Sequence, residues 1–207
     1  MFPDLARDDV FRLETARLWL RWPRSSDDPA IHRFCGLWEV ARWTARIPHP
    51  YPPGSAERFI YAAREANAAG RDLTLVLQPK KGKREIIGSI SLESRGLDRL
   101  ALGFALTPEY WNRGLATEAA LSMVRTGFSL TPAIEILAFA AVENPASRRV
   151  LEKCGFEYVT TGPRGAPARG GFMQSHDFRL TRRAWADDLA ARREEAALRS
   201  ARSDERA

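Results

Sequence analysis

Apolar residues alternate with polar ones along Arg17-Leu18-Trp19-Leu20-Arg21-Trp22, which predicts a half-buried strand. Ser25-Ser26-Asp27-Asp28 then offers N-cap side chains for a helix to about Cys35. Residues 36–54, rich in Trp, Pro and Arg, read as a loop. Ser55 is placed to cap a second helix, with Phe59, Ile60 and Ala63 on one face and Gly70 at its end. Residues 72–77, 85–93 and 100–106 read as strands. Short turns join them, so an antiparallel meander is expected.

After Leu106 the period changes. Ala116, Ala120, Val124 and Phe128 fall four apart, which predicts a helix from about Gly114 to Phe128. Residues 134–142 (IEILAFAAV) are apolar enough for a central strand, and the intervening helix makes that strand parallel to 100–106. Asn144-Pro145 opens a further helix, with Asn as cap and Pro at the first helical position, and Gly155 closes it. Residues 156–161 and 172–180 read as a closing strand pair around a Gly/Pro-rich loop at 162–171. These signals fill 17–181, after a short, loose leader. Residues 182–207 form a polar tail with seven Arg against six acids, a fraying helix that is either solvated or laid on a neighbouring subunit.

Composition narrows the function. At 44% hydrophobic and 28% charged, 207 residues suit one globular domain. No apolar run reaches about 18 residues, so no membrane span is expected. The opening Met1–Asp9 lacks a secretion signal's basic start and apolar stretch, so the expected compartment is cytoplasmic. Cys35 and Cys154, and His32, His49 and His176, have no metal-ligand spacing. No metal is expected. The net charge of +6 comes mainly from scattered Arg, not from a stripe with aromatics, so no nucleic-acid partner is expected.

The strongest chemical signal is the run Pro108-Glu109-Tyr110-Trp111-Asn112-Arg113-Gly114-Leu115-Ala116-Thr117-Glu118 behind a strand. A strand that enters a glycine turn and then a helix points several backbone N–H groups one way. With the positive end of the helix they suit a pyrophosphate. Gly114 permits close approach, Arg113 adds charge and Thr117 a hydroxyl. The chain has no Gly-x-x-x-x-Gly-Lys-Ser/Thr and no Gly-x-Gly-x-x-Gly after a first parallel strand. Nucleotide triphosphatase and dinucleotide-binding readings are therefore disfavoured.

This run and Asn144-Pro145-Ala146-Ser147-Arg148-Arg149-Val150-Leu151-Glu152-Lys153-Cys154-Gly155-Phe156 together resemble the pyrophosphate loop and following strand–helix unit of the GNAT superfamily of N-acetyltransferases. Leu13-Glu14-Thr15-Ala16-Arg17-Leu18-Trp19-Leu20-Arg21, Tyr110–Ala119 and Asn144-x-x-Ser147 resemble its RimJ/RimL-like branch, and the likeness spans about 11–181. The resemblance implies an α/β fold with a mixed, mostly antiparallel sheet, splayed between its fourth and fifth strands (about 100–106 and 134–142) and flanked by helices. It also implies acetyl-CoA as cofactor, held by Leu106, Asn112, Arg113, Gly114, Leu115, Ala116, Thr117, Asn144 and Arg149. An N–H near Leu106 would polarise the thioester carbonyl.

By the same resemblance Asn144 touches the pantetheine or an ordered water, unless it is only a helix cap. Ser147 gives a proton to the departing sulfur, unless it is only a small exposed residue. Two family features are missing: Leu151 stands where many members carry a tyrosine acid, and Ala101 where the branch often carries a glutamate. Glu93 and His176 are weak candidates for a base, and uptake of a neutral amine is the alternative. Trp38 and Trp43 either wall the acceptor site or simply pack. The acceptor is a primary amine, with a protein N-terminus ahead of antibiotics or polyamines. A non-catalytic acyl-CoA sensor is the other reading, and the chain is a monomer or a homodimer.

Overall fold

The computed structural model describes residues 11–191. It opens with a three-residue strand, β1 (Arg12–Glu14), paired antiparallel to β2 (Leu18–Arg21). Within the loose leader read over residues 1–16, residues 12–14 are therefore a strand, and the reading of residues 1–10 lies outside the described residues. Three residues are too few to show a period, and pairing alone defines this one. Next come α1 (Asp28–Gly36), a four-residue α2 (Trp38–Ala41) inside the expected loop, and α3 (Ser55–Ala68). Gly54, at φ 71°, is the N-cap of α3 in place of Ser55, whose hydroxyl instead accepts from the Arg58 guanidinium (2.7 Å).

The meander follows as read: β3 (Asp72–Pro79), β4 (Gly88–Ser94) and β5 (Arg99–Leu106), each antiparallel to the last. β4 starts three residues later than its apolar pattern suggests. Then come α4 (Leu115–Leu130), β6 (Glu135–Ala141) parallel to β5, and α5 (Pro145–Lys153). β7 (Glu157–Ala166) and β8 (Gly171–Thr181) form one long hairpin, so most of the supposed loop at 162–171 is strand. Pro163 is tolerated because β7 is an edge strand, where a missing N–H breaks no ladder. The eight strands make one sheet in the order β1-β2-β3-β4-β5-β6-β8-β7.

Alternation along the strands sorts side chains onto two faces. Leu18, Leu20, Leu92, Leu100, Leu102, Ile136 and Ala138 face α4 and meet Ala119, Ala120, Met123, Val124 and Phe128. Ala116, on the same helical stripe, is only half-buried because it lies in the first turn. Each fully buried Leu or Phe in this layer contributes about 1.5–3 kcal/mol. On the opposite face Val76 packs with Ile31, Phe34 and Ile60 of α1 and α3.

Residues 182–191 are helical. The Arg182 guanidinium donates to the carbonyls of Phe128 (2.6 Å), Thr131 (2.6 Å) and Ala133 (2.8 Å), and so satisfies the C-terminal end of α4. Trp185 packs on Phe128 with ring centroids 5.1 Å apart. The start of the segment read as a polar tail thus rests on the domain, and the remainder of that reading lies outside the described residues. Among the described residues no helix is long and apolar enough to cross a membrane.

Candidate active site

The parallel ladder between β5 and β6 runs only from Arg99↔Glu135 to Leu102↔Ala138. Beyond it the two strands keep their outer partners and lose each other: residues 103–106 stay on β4, and 139–141 stay on β8. This is the expected splay; the edge strand β1 makes its two walls the fifth and sixth strands here. The register shows which peptide groups face the gap. Thr107 N–H donates to Ile87 O (2.8 Å), so Gly103 and Ala105 turn their peptides to β4, and Phe104 and Leu106 turn theirs into the split. Val142 N–H donates to Gln174 O (3.1 Å), so by the same alternation Phe139 and Ala141 face the split from the other side. Trp111 Nε1–H donates to Leu106 O (2.7 Å) and so occupies that carbonyl, while Leu106 N–H, in the preceding peptide plane, faces the gap.

At the mouth of the split the chain turns through Asn112 (φ 58°) and Gly114 (φ 72°) into α4. Two left-handed residues with one residue between them make a concave backbone, and no side chain caps the helix that follows. The first-turn amides of Leu115, Ala116 and Thr117 therefore converge where an anion fits. α3 also starts at an uncapped left-handed glycine, Gly54. Of these two helices, α4 starts at the mouth of the split. The Leu115 side chain is buried in the core, so of that residue only the amide is available. Asn112 and Arg113 are exposed, and the Arg113 guanidinium lies 5.3 Å from the Tyr110 ring.

Glu118, in the same turn, receives the Thr15 hydroxyl (2.6 Å), the Arg17 amide (2.7 Å) and the Arg17 guanidinium (2.6 Å). Burial pushes its pKa up, but these three hydrogen bonds outweigh burial and the pKa is lowered. The same guanidinium donates to Arg113 O (2.7 Å). Arg17 and Glu118 belong to two separate sequence motifs, and the fold brings them together across 101 positions.

On α5, Asn144 is the N-cap: its Oδ1 accepts Ser147 N–H at 3.1 Å. Both residues are half-buried, at the end of β6 that leaves the split. Arg149 is exposed two residues on, whereas Arg148 is tied to Glu152 (2.7 Å). Asn144→Ala should cost about 1 kcal/mol of stability through the lost cap. Asn144→Asp keeps the accepting oxygen and should melt close to the wild type; a melting curve on each checks this.

The two candidate bases stand apart. Glu93 is on the face opposite α4; its oxygens are engaged by Arg46 and by Arg95 (2.9 Å). His176, opposite Ala140 in the ladder, shares the face of Phe178 and α4, with its Nδ1 2.7 Å from Thr161 Oγ1. The sheet separates them, so they cannot serve one acceptor together. Cys35, buried beside Tyr51, has its pKa pushed up to about 12 by burial, which makes it an inert thiol.

A bridge not foreseen from sequence crosses the split on the Glu93 face. The tip of the β7–β8 hairpin reaches the loop after α2: the Arg169 guanidinium donates to Ala41 O (2.7 Å) and Ile47 O, and Ala168 N–H to Ala45 O (3.1 Å). Arg169 lies 5.5 Å from the Trp38 ring. The hairpin belongs to the β6 side and the loop to the β3–β4 side, so these bonds span the gap. Below them Arg164 holds Asp177 bidentately (2.6 and 2.6 Å) and stacks on Phe139. A separate cavity of about 570 Å³, lined by Arg12, Trp19, Arg21, Arg24 and Arg84, lies at the β2–β3 edge, several strands from the split.

The chain matches the acetyltransferase (GNAT) domain family over residues 17–157. It is 30% identical over 156 residues to the uncharacterized N-acetyltransferase YoaA of Bacillus subtilis, covering 70% of this chain and 82% of that one. Over 64 residues it is 38% identical to an FsC-acetyl coenzyme A-N(2)-transacetylase of Aspergillus fumigatus, a stretch that is 31% of this chain and 27% of that protein. The solved structure of Mycobacterium smegmatis RimJ in complex with CoA-disulfide shares the fold, with a TM-score of 0.75 at 21% identity, covering 92% of this chain and 97% of that one. Matched by family over most of its length and built on a mixed sheet that splits beside the start of a helix, the chain belongs to the GNAT N-acetyltransferases, enzymes that move an acetyl group from acetyl-CoA to an amine.

Proposed function

We propose that this enzyme acetylates a protein N-terminal amine by direct attack on the thioester. The observation that carries this reading is the pair of strand edges that part below the uncapped start of α4. There the Phe104 and Phe139 peptides and the Leu106 and Ala141 N–H groups face the split, while the Leu106 and Ala141 carbonyls are held by Trp111 and by Asn144 N–H. Open peptide groups in a sheet need partners, and an amide-bearing arm supplies them as an added strand would. Acetyl-CoA, when bound, supplies such an arm and the activated acetyl group. The amides of Leu115, Ala116 and Thr117, the Asn112–Gly114 turn, Arg113 and Arg149 hold its pyrophosphate.

Leu106 N–H stabilises the negative charge that develops on the carbonyl oxygen. Asn144 has committed Oδ1 to its helix, so its NH₂ group contacts the arm or an ordered water. The Ser147 hydroxyl, one helical turn away, would pass its proton to the departing sulfur as the C–S bond breaks and the N–C bond forms, and would take a replacement proton from solvent. The amine's own proton passes to solvent, because Glu93 is engaged by two guanidinium groups and His176 lies on the other face.

The likeness of Leu13–Arg21 and Tyr110–Ala119 to the RimJ/RimL-like branch supports a protein N-terminus as acceptor. The hairpin bridge supports a slender amine, a property that polyamines share. The test is release of free thiol from acetyl-CoA with short peptides, spermidine and an aminoglycoside offered in parallel. Peptides with free N-termini should exceed the small amines at least tenfold in kcat/KM; turnover confined to small amines would move the assignment to them. Ser147→Ala should lower kcat about 10- to 100-fold with KM unchanged.

A further inference from the structure

We infer that Arg17, with Thr15 and Glu118, is a clasp that holds the anion turn in its binding shape, so that Arg17 is a positioning residue for the pyrophosphate end of the donor. This rests on the acetyl-CoA reading above and extends it to a segment that precedes the site by about a hundred residues.

The turn has reason to need a clasp. Asn112 at φ 58° is left-handed without being glycine, which costs on the order of 1 kcal/mol and persists only where the surroundings over-determine it. The first turn of α4 has no capping side chain. The missing restraint comes from the β1–β2 connection. Arg17 Nη1–H holds the carbonyl of Arg113, the residue between the two left-handed positions, while Nε–H holds Glu118 one turn into the helix. One planar guanidinium thus fixes the turn's entry and the helix's first turn at a set separation. Thr15 Oγ1–H and Arg17 N–H complete the coordination of the same carboxylate, and Thr15 Oγ1 also accepts Leu18 N–H (2.9 Å), which locks the clasp to β2.

Position argues the same way. An added Cβ on Gly114 would lie 3.4 Å from Arg17 Nη2, so the third guanidinium nitrogen sits beside the glycine at the anion site. Nε and Nη1 are occupied by protein groups, whereas Nη2 adds positive charge next to the converging amides. Glu118 would otherwise set a carboxylate in the helix turn that must hold a pyrophosphate; the clasp neutralises it where it stands. Preorganising donors around an anion raises affinity by removing the cost of ordering them on binding.

The test compares two ligands, CoA and pantetheine, which lacks the pyrophosphate. Both are titrated by calorimetry into the full-length wild type and the Arg17→Met, Arg17→Lys and Glu118→Gln variants. The wild type should bind CoA far more tightly than pantetheine. In Arg17→Met that ratio should fall tenfold or more, with pantetheine affinity within about twofold of the wild type, and Arg17→Lys should recover part of the loss through its retained charge. Should Arg17→Met fail to fold, Glu118→Gln, which keeps the shape and weakens the grip, should show the same fall in smaller measure. An unchanged ratio, or a parallel loss for both ligands, overturns the clasp and leaves Arg17 a purely structural residue. A wild type that does not distinguish CoA from pantetheine overturns the acetyl-CoA reading itself, and the clasp with it.

Discussion

Gly114→Glu should raise the KM for acetyl-CoA by more than about 100-fold, equivalent to roughly 2.7 kcal/mol of lost binding. Two effects add. Glutamate at φ 72° must adopt the left-handed region, which costs about 1–2 kcal/mol and disturbs the turn. Its side chain also starts from a Cβ 3.4 Å from Arg17 Nη2, beside the first-turn amides of α4, and its negative charge opposes the pyrophosphate assigned there in the proposed function. Gly114→Ala separates the two contributions. It meets no closer contact than that same 3.4 Å and carries no charge, so it should raise KM by no more than about tenfold, the share belonging to backbone conformation. Steady-state kinetics on both variants with one acceptor is sufficient. Equal losses in the two would remove the electrostatic part of the explanation.

Gly88→Ala should cost both folding and catalysis. A Cβ at Gly88 would lie 2.2 Å from Ala105 O, 3.0 Å from Leu106 Cα and 3.2 Å from Ala105 C, all of them backbone atoms. No rotamer relieves this, so β4 and β5 must part. Overpacking of this kind costs about 1–3 kcal/mol, and contact with rigid backbone puts Gly88 at the upper end. The strand that moves carries Leu106, whose N–H faces the reacting carbonyl in the proposed mechanism. A displacement on the order of 1 Å there should lower kcat about 100-fold. Gly103→Ala is the matched control for folding: its Cβ would make only an ordinary 3.4 Å contact with Ser91 Oγ, and it should change stability by less than about 0.5 kcal/mol. Full activity in Gly88→Ala would show that the Leu106 amide does not need its present position.

Much of the architecture could be read from local pattern. The β3–β4–β5 meander alternates with period two and is bounded by short turns, α4 repeats its small and apolar residues at helical spacing, and Asn144-Pro145 announces the start of α5 in two residues. The elements misread are those whose existence depends on a partner. β1 is a strand only because β2 lies beside it, and residues 162–166 carry Gly and Pro yet extend β7 because β8 supplies the ladder. The Gly114 turn into α4 was legible for the same reason as α5, since glycine before a helix is a local signal. The clasp from Arg17 to Glu118, the Trp111 bond to Leu106 O and the Arg169 bridge over the split were not. Each joins residues through tertiary placement, and the identities alone allow many other pairings. The face on which Glu93 and His176 lie is likewise a matter of register, and the register separates them.

The most direct test of the central claim is a thermal melt of the wild-type protein with and without saturating acetyl-CoA. A ligand present at about 100 times its Kd stabilises the folded state by about 2.7 kcal/mol, which for a domain of this size raises Tm by several degrees. That rise, present with acetyl-CoA and lost in Gly114→Glu, is the result expected here. A wild-type melting curve that acetyl-CoA leaves unmoved would contradict the account, and the turn at Gly114 would then be only a tight entry into a helix.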